Sequence, residues 1–251
     1  MKRKGQVWVV GIGPGARELR TLQAEAALRA ADVIIGYQGY FQWISDVVSG
    51  KACLAFALGE EEARARRALE EALSGQNVCV ISSGDAGVFG MASLVVQIAE
   101  AVDEATRPEI CILPGVSAVL ACASLLGAPL GDDFAVISLS DLVSPWPQIE
   151  RRLEAVAAAD FVIVLLNPKS RQRTWQFARA LDIIRRHKSR ATPVGVVRNA
   201  FRPGQSIEVA SLADLEAKTI DMLTTVIVGN TQTRQGQIGL YTMRASCSAT
   251  K

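Results

Sequence analysis

Short apolar runs recur along the chain at residues 7–10, 33–35, 78–81, 110–113, 134–137, 161–166, 194–197 and 226–228. The runs are continuous rather than alternating, which suits strands covered on both faces. Helical patterns lie between them. Residues 60–74 (EEEARARRALEEALS, closed by Gly75) make a charged amphipathic stretch with Leu69 and Leu73 turned inward, and over 91–102 the side chains of Leu94, Val95, Ile98 and Val102 share one stripe. Residues 147–158 and 171–187 carry the same helical spacing. Strand-sized and helix-sized segments in alternation predict an α/β architecture with substantial parallel pairing. Pro114 and Gly115 separate two sets of elements of similar size, which divides the chain into α/β domains at 1–115 and 116–251.

One stretch has the length of a membrane span, because residues 110–131 carry no charge. Pro114, Gly115, Gly127 and Pro129 interrupt it, so only 117–126 is continuous helix, about half the reach that a hydrocarbon core of roughly 30 Å demands. The stretch therefore predicts a buried helix between a loop and a turn. The opening MKRKGQVWVV is basic but meets Gly11, Gly13, Pro14 and Gly15 before any apolar region long enough for a signal peptide, and reads as a first strand. The tail 245–251 (ASCSATK) is small and polar and reads as frayed.

Composition narrows the classes. With 49% hydrophobic and 21% charged residues among 251 and no low-complexity tract, disordered, collagen-like and coiled-coil classes are excluded. A net charge of +2 is too close to neutral for binding driven by overall charge, so nucleic acid is not the default partner. Cys53, Cys79, Cys111, Cys122 and Cys247 form no CxxC or CxxH pair, which fits a reducing cytoplasm without a zinc site or a disulfide frame. His187, the one histidine, lies in RRHKSR and reads as part of a solvated basic helix end, which disfavours His-based triads and metal sites.

Three glycine-rich turns carry the candidate chemistry. VVGIGPGARE satisfies a loose dinucleotide fingerprint through Gly11, Gly13 and Ala16, but Pro14 sits inside the turn and Asp32 precedes the next strand instead of closing it, which leaves a tight strand-to-helix turn as the other reading. In SSGDAGVFGMA, Gly84, Gly87 and Gly90 allow close backbone approach to a ligand, and Asp85 sits at a strand's carboxyl end, where α/β sheets bind ligands. Asp85 has two open roles there, placing a proton or substrate group, or capping a helix at Phe89. In LPGVSAVLA, Ser117 stands where its hydroxyl caps the next helix or meets a ligand.

The order of the pieces is more specific than any one of them. VGIGPG, ADVIIGY, GDAGVFGMA, LPGVSAVLACASLLGAPL, DFVIVLLNPKS, VGVVRNAFRPGQ and DMLTTVIVGN together resemble the tetrapyrrole methylase family over nearly the whole chain. Within that family, ISLSDLVSPWPQIERRL, LLNPKSRQR and the DMLTTVIVGN ending resemble the branch that methylates C17 of precorrin-3B and contracts its ring in cobalamin biosynthesis. Branches acting at C11 or C20, a ribosomal RNA methyltransferase branch and a non-enzymatic binding module are the alternatives. The sequence departs from the family at Gly131, where a histidine is frequent, at Ala86 in place of proline, at Leu166 in place of tyrosine, and in an ending without the usual Gly-Tyr.

The resemblance implies a two-domain tetrapyrrole methylase fold with the cofactor cleft between domains, usually a homodimer, binding S-adenosylmethionine and no metal. It implies cofactor contacts at Pro14, Gly84, Asp85, Ala86, Gly87, Val88, Phe89, Ser117, Ala118, Leu166, Asn199, Ala200, Met222, Thr224 and Thr225. Asp85, Tyr37 and Tyr40, with Ser138, Ser140, Asp141, Asn167 and Lys169, are the groups it turns toward a tetrapyrrole substrate. Lys169, Arg171 and Arg173 stand where they meet peripheral carboxylates, with a solvated helix start as the other reading of the two arginines.

Overall fold

The computed structural model describes residues 5–142 and 144–244. The basic opening 1–4, Val143 of the SLSDLVSPW stretch, and the tail 245–251 with Cys247, read above as frayed, lie outside the described residues. The chain forms two compact units, Met1–Ala118 and Val119–Lys251.

The first unit runs β1 (Gln6–Gly11), α1 (Leu22–Ala30), β2 (Val33–Tyr37), β3 (Ala52–Phe56), α2 (Glu61–Leu73), β4 (Val78–Ser82), α3 (Ala92–Glu100) and β5 (Glu109–Leu113). Its strands pair in the order β3-β2-β4-β1-β5, and every pair is parallel. The alternating pleat explains the continuous apolar runs. Val7, Val9, Val33, Ile35, Val78 and Val80 pack with Ala65, Ala68 and Leu69 of α2 and Val95 of α3. Their neighbours Val10, Ile34, Cys79 and Ile81 pack with Ala24 and Leu28 of α1 and with Ile44. The central strands β1, β2 and β4 are covered on both faces, so both sets of their positions are apolar.

The second unit continues with α4 (Ala118–Leu126), β6 (Gly127–Ala128), β7 (Phe134–Ser138), α5 (Trp146–Ala158), β8 (Val162–Leu166), α6 (Gln176–Arg185), β9 (Pro193–Arg198), β10 (Ser206–Ser211), β11 (Thr224–Val228), β12 (Thr233–Gln235) and β13 (Leu240–Thr242). The main sheet is ordered β10-β9-β11-β8-β7, and β12-β13-β6 form a small one. Only β7 and β8 are parallel in the main sheet; β10 with β9, β9 with β11 and β11 with β8 are antiparallel. Parallel pairing thus dominates the first unit alone. Ile149 and Leu153 of α5 and Phe177, Leu181 and Ile184 of α6 close one face over Ile163, Leu165, Val196 and Val226.

Several sequence expectations need correction. Leu73 ends α2 45% exposed, since the stripe that helix buries runs through Arg64, Ala65, Ala68, Leu69 and Ala72. The apolar runs at β5 and β7 are not doubly covered; they are sheet edges, with Ile112 49% and Phe134 40% exposed. The helix expected from Arg171 starts at Gln176. The edge strands β3 and β10 and the small sheet carry no strong apolar periodicity. No helix among the described residues is long and apolar enough to cross a membrane.

Burial separates the described cysteines. Cys79 and Cys122 are buried, which pushes their thiols up to about 12 and about 11, whereas Cys53 is exposed. The thiolate is the nucleophile, so in native protein at pH 8 iodoacetamide should label Cys53 before Cys79 and Cys122, which it should reach only in denaturant. Peptide mapping that finds all three labelled at equal rates contradicts the packing described.

Candidate active site

All strands of the first unit point the same way, so the loops after β1, β4 and β5 emerge on one edge of the sheet. There they pack backbone on backbone. Gly13 N–H donates to the Gly84 carbonyl at 3.0 Å and Gly84 N–H returns a bond to the Gly13 carbonyl at 2.8 Å. A Cβ on Gly115 would fall 2.2 Å from the Gly84 oxygen, and one on Gly11 would fall 2.7 Å from the Gly115 nitrogen. No side chain fits at either position unless the loops part.

Asp85 completes the arrangement. Its Oδ1 accepts the Gly87 N–H at 2.7 Å and its Oδ2 accepts the Gly115 N–H at 2.8 Å. Helix α3 starts at Ala92, with Met91 as its N-cap and no side-chain capping bond, so Asp85 does not cap a helix at Phe89. It ties the β4 loop to the β5 loop instead. The position of Gly84 lies 3.6 Å from Ser117 Cα and 3.5 Å from Ala118 N, measured from where its Cβ would be. The structure therefore gathers Gly84, Asp85, Gly87, Ser117 and Ala118, with buried Pro14 next to Gly13 and buried Ala86 next to Asp85. Val88 and Phe89 stay exposed, Phe89 with a left-handed φ of 53°. Tyr37 closes β2 and meets Tyr40 edge-on at 5.2 Å; the two rings form a separate pair on the strand beside β4.

In the second unit the ends of β7 and β8 lie side by side. Asn167, left-handed at φ 52°, donates its Nδ2–H to Ser138 Oγ at 3.0 Å, and the Ser140 N–H reaches the same oxygen at 3.3 Å. Asp141 accepts the Gln176 side-chain amide at 3.2 Å. Leu166 precedes Asn167, and the Lys169 ammonium sits 5.4 Å over the Phe177 ring. Arg171 is exposed, but Arg173 is 7% exposed and bonded within the protein, which corrects its reading as a solvated or substrate-facing cation.

A second cluster of this unit surrounds the start of β11. Asn199, at φ 51°, donates its backbone N–H to the Leu223 carbonyl at 3.1 Å. Thr224 and Thr225 are buried, as is Ala200, while Met222 is 41% exposed. The Thr224 hydroxyl donates to Asp221 at 2.8 Å, and Arg198 donates to the other carboxylate oxygen at 2.8 Å. Burial works to raise Asp221, but these bonds outweigh it and hold the carboxyl below the usual range. Thr224 is thus committed to the loop through its side chain.

Two further expectations meet the structure here. A Cβ on Gly131 would lie 2.8 Å from the Thr242 carbonyl, so the backbone occupies the space that a histidine would need. His187 has a partner after all, since its Nε2 lies 2.6 Å from Glu154 Oε1, and that hydrogen bond is the main cause lowering Glu154. Periodicity missed the roles of Gly11, Gly115 and Arg173, because Gly11 only closes β1 and the other two lie in loops; the clustering of glycines at strand ends was the one signal, and it pointed toward the two glycines.

An all-parallel sheet with glycine loops on its carboxyl edge, joined to a mixed sheet in a second unit, defines the class as a two-unit α/β protein. The chain belongs to the tetrapyrrole (corrin/porphyrin) methylases, whose family model matches residues 6–216. It is 44% identical over 225 residues to a probable cobalt-factor III C(17)-methyltransferase of Salmonella typhimurium, covering 90% of this chain and 92% of that protein. It is 41% identical over 234 residues to a precorrin-3B C(17)-methyltransferase of Sinorhizobium sp, covering 92% of this chain and 91% of that one. The crystal structure of the methyltransferase CobJ superposes with a TM-score of 0.88 at 40% identity, covering 95% of this chain and all of that chain, 100%. Some relatives are longer, and the chain spans 43% of a cobalt-factor III methyltransferase of Priestia megaterium, at 44% identity over 232 residues.

The geometry at Asp85 makes a direct prediction. Asn at this position keeps one acceptor oxygen and loses the other, so Asp85→Asn should destabilise the first unit by roughly 1–2 kcal/mol, the scale of one lost bond to a charged group. Thermal melting should fall by a few degrees, and an unchanged melting temperature would show that the two loops do not depend on the carboxylate.

Proposed function

We propose that the protein transfers a methyl group from S-adenosylmethionine to C17 of a ring-contracting corrin precursor, precorrin-3B or its cobalt-bearing counterpart, in cobalamin biosynthesis. The observation that carries this reading is the near full-length match to relatives named for methylation at that carbon.

The residues present suit the cofactor. The glycine loops after β1, β4 and β5 bring backbone groups together without side chains in the way, and exposed Val88 and Phe89 offer apolar surface beside them. When bound, S-adenosylmethionine supplies a sulfonium methyl as the electrophile. Pro14, residues 84–89, Ser117 and Ala118 in the first unit, and Leu166, Asn199, Ala200, Met222, Thr224 and Thr225 in the second, are the residues we assign to hold it. Thr224 contributes through its backbone, its hydroxyl being engaged by Asp221.

The substrate carbon is electron-rich through its own conjugation, so alignment and local electrostatics are the protein's share of the acceleration. Ser138 Oγ accepts two N–H bonds, which leaves its own O–H as a donor toward a substrate oxygen. Asn167 orients that hydroxyl. Asp141 and Tyr37 are the remaining polar groups assigned to the substrate, and Lys169, tethered over Phe177, provides charge for a peripheral carboxylate. Asp85 has both oxygens occupied by backbone N–H groups, so its contribution is to hold the loops rather than to carry a proton. The reading extends to a homodimer in the cytoplasm, with 1–115 and 116–251 as its domains, and light scattering tests the dimer.

Purified protein incubated anaerobically with labelled S-adenosylmethionine should add one methyl group to precorrin-3B or to cobalt-factor III, seen by mass, with a spectral change as conjugation is interrupted. Offering the two substrates in parallel decides which form is used. Methylation of uroporphyrinogen III or ribosomal RNA instead would refute the assignment, and inertness toward every one of these would favour a binding module.

A further inference from the structure

The segment NPKSRQRTW between β8 and α6 is polar and looks solvated, yet one of its cations is inside the protein. Arg173 is 7% exposed. Its Nη1 donates to the Leu139 carbonyl just past β7 at 2.9 Å and to the Asn167 carbonyl just past β8 at 3.0 Å. Its Nη2 lies 3.8 Å from Met222 Sδ, in the turn before β11, and its Nε lies 3.9 Å from Asp141 Oδ1. Ser170 pins the backbone of Arg173, its hydroxyl accepting the Arg173 N–H at 3.0 Å while its own N–H donates to the Arg173 carbonyl at 3.0 Å.

Carbonyls just beyond strand ends have left the ladder and need other donors when they are buried. One guanidinium amino group, Nη1, meets two of them with its two N–H bonds, and the rest of the flat, permanently charged fork is left to face the Met222 thioether and Asp141. An unpaired buried cation is strongly unfavourable, so the side chain is held wherever those acceptors are, and they in turn are held by it. One of the two carbonyls belongs to Asn167, whose left-handed backbone aims its amide at Ser138.

We propose that Arg173 is a positioning residue: its guanidinium sets the Asn167–Ser138 pair and the Met222 turn in one arrangement and does not itself meet substrate. The inference rests on the methyl-transfer reading above for its catalytic consequence.

Arg173→Lys keeps the charge, but a single ammonium nitrogen replaces Nη1 at most and leaves the Met222 thioether and Asp141 without the donors that Nη2 and Nε supply. The variant should bind S-adenosylhomocysteine about tenfold more weakly by calorimetry, through the Met222 turn, as preorganisation is lost. Its kcat should fall about 10²-fold, the scale of a misplaced reacting group, with KM for the tetrapyrrole kept within about threefold. Ser138→Ala should cost about tenfold in the wild-type background and under about twofold in Arg173→Lys, since the two act through one contact. Additive losses, or kcat and S-adenosylhomocysteine affinity both within about twofold of wild type, overturn the proposal. Should Arg173→Lys fail to melt cooperatively, Ser170→Ala loosens the same side chain more gently; a kcat lowered about threefold or more at constant KM supports the proposal and an unchanged kcat overturns it. Wild-type protein that binds S-adenosylhomocysteine but methylates no tetrapyrrole defeats the functional reading alone, and the affinity of Arg173→Lys then decides this inference by itself.

Discussion

The first unit is organised around an approach of three backbones so close that only hydrogen atoms fit between them. Gly11, Gly84 and Gly115 meet at the carboxyl edge of a parallel sheet, with a Cβ on Gly115 placed 2.2 Å from the Gly84 oxygen. Parallel strands make this possible because β1, β4 and β5 all deliver their following loops to the same edge. The loops then hold one another: Gly13 and Gly84 exchange N–H bonds, and Asp85 links Gly87 to Gly115. Apolar Val88 and Phe89 stay exposed beside these loops. That surface suits a nucleoside and an amino-acid chain better than a phosphate, since no lysine accompanies the glycines.

The second unit meets the same problem with side chains. Its sheet is mixed, so fewer loops share an edge, and the free backbone groups are gathered by charged side chains instead. Arg173 takes the carbonyls of Leu139 and Asn167, and Asp221 takes the Leu223 N–H, the Thr224 hydroxyl and Arg198. Arg173 is a charge whose burial costs free energy unless every acceptor is in place, which makes its network demanding of geometry. Left-handed Asn167 and Asn199 stand next to them, strained positions of the kind that gather at functional sites.

No histidine dyad or metal cluster assembles among the described residues around these loops, and His187 is engaged with Glu154 beyond the end of α6. Methyl transfer to an electron-rich carbon does not call for such a dyad. Alignment and electrostatics are what such a displacement asks of a protein, and polar groups fixed by hydrogen bonds, as Asn167 is to Ser138, have the rigidity this requires.

The element types were legible in the sequence where one physical rule dominates. Doubly covered strands must be apolar at successive positions, so β1, β2, β4, β8 and β11 announce themselves, and amphipathic α2 and α5 do so by their period. The order of the glycine turns carried the family. Edge strands β3 and β10 were not legible, because a strand half in water can take almost any residue, and apolar β5 and β7 misled in the opposite sense. The sequence left Asp85 between a proton- or substrate-placing role and a helix cap, and Arg173 between a substrate carboxylate and a solvated helix start. Only the folded chain decided among these, since a hydrogen bond between residues 30 or 49 positions apart, as from Gly115 to Asp85 or from Arg173 to Met222, exists when packing brings the two together and leaves no local periodicity behind.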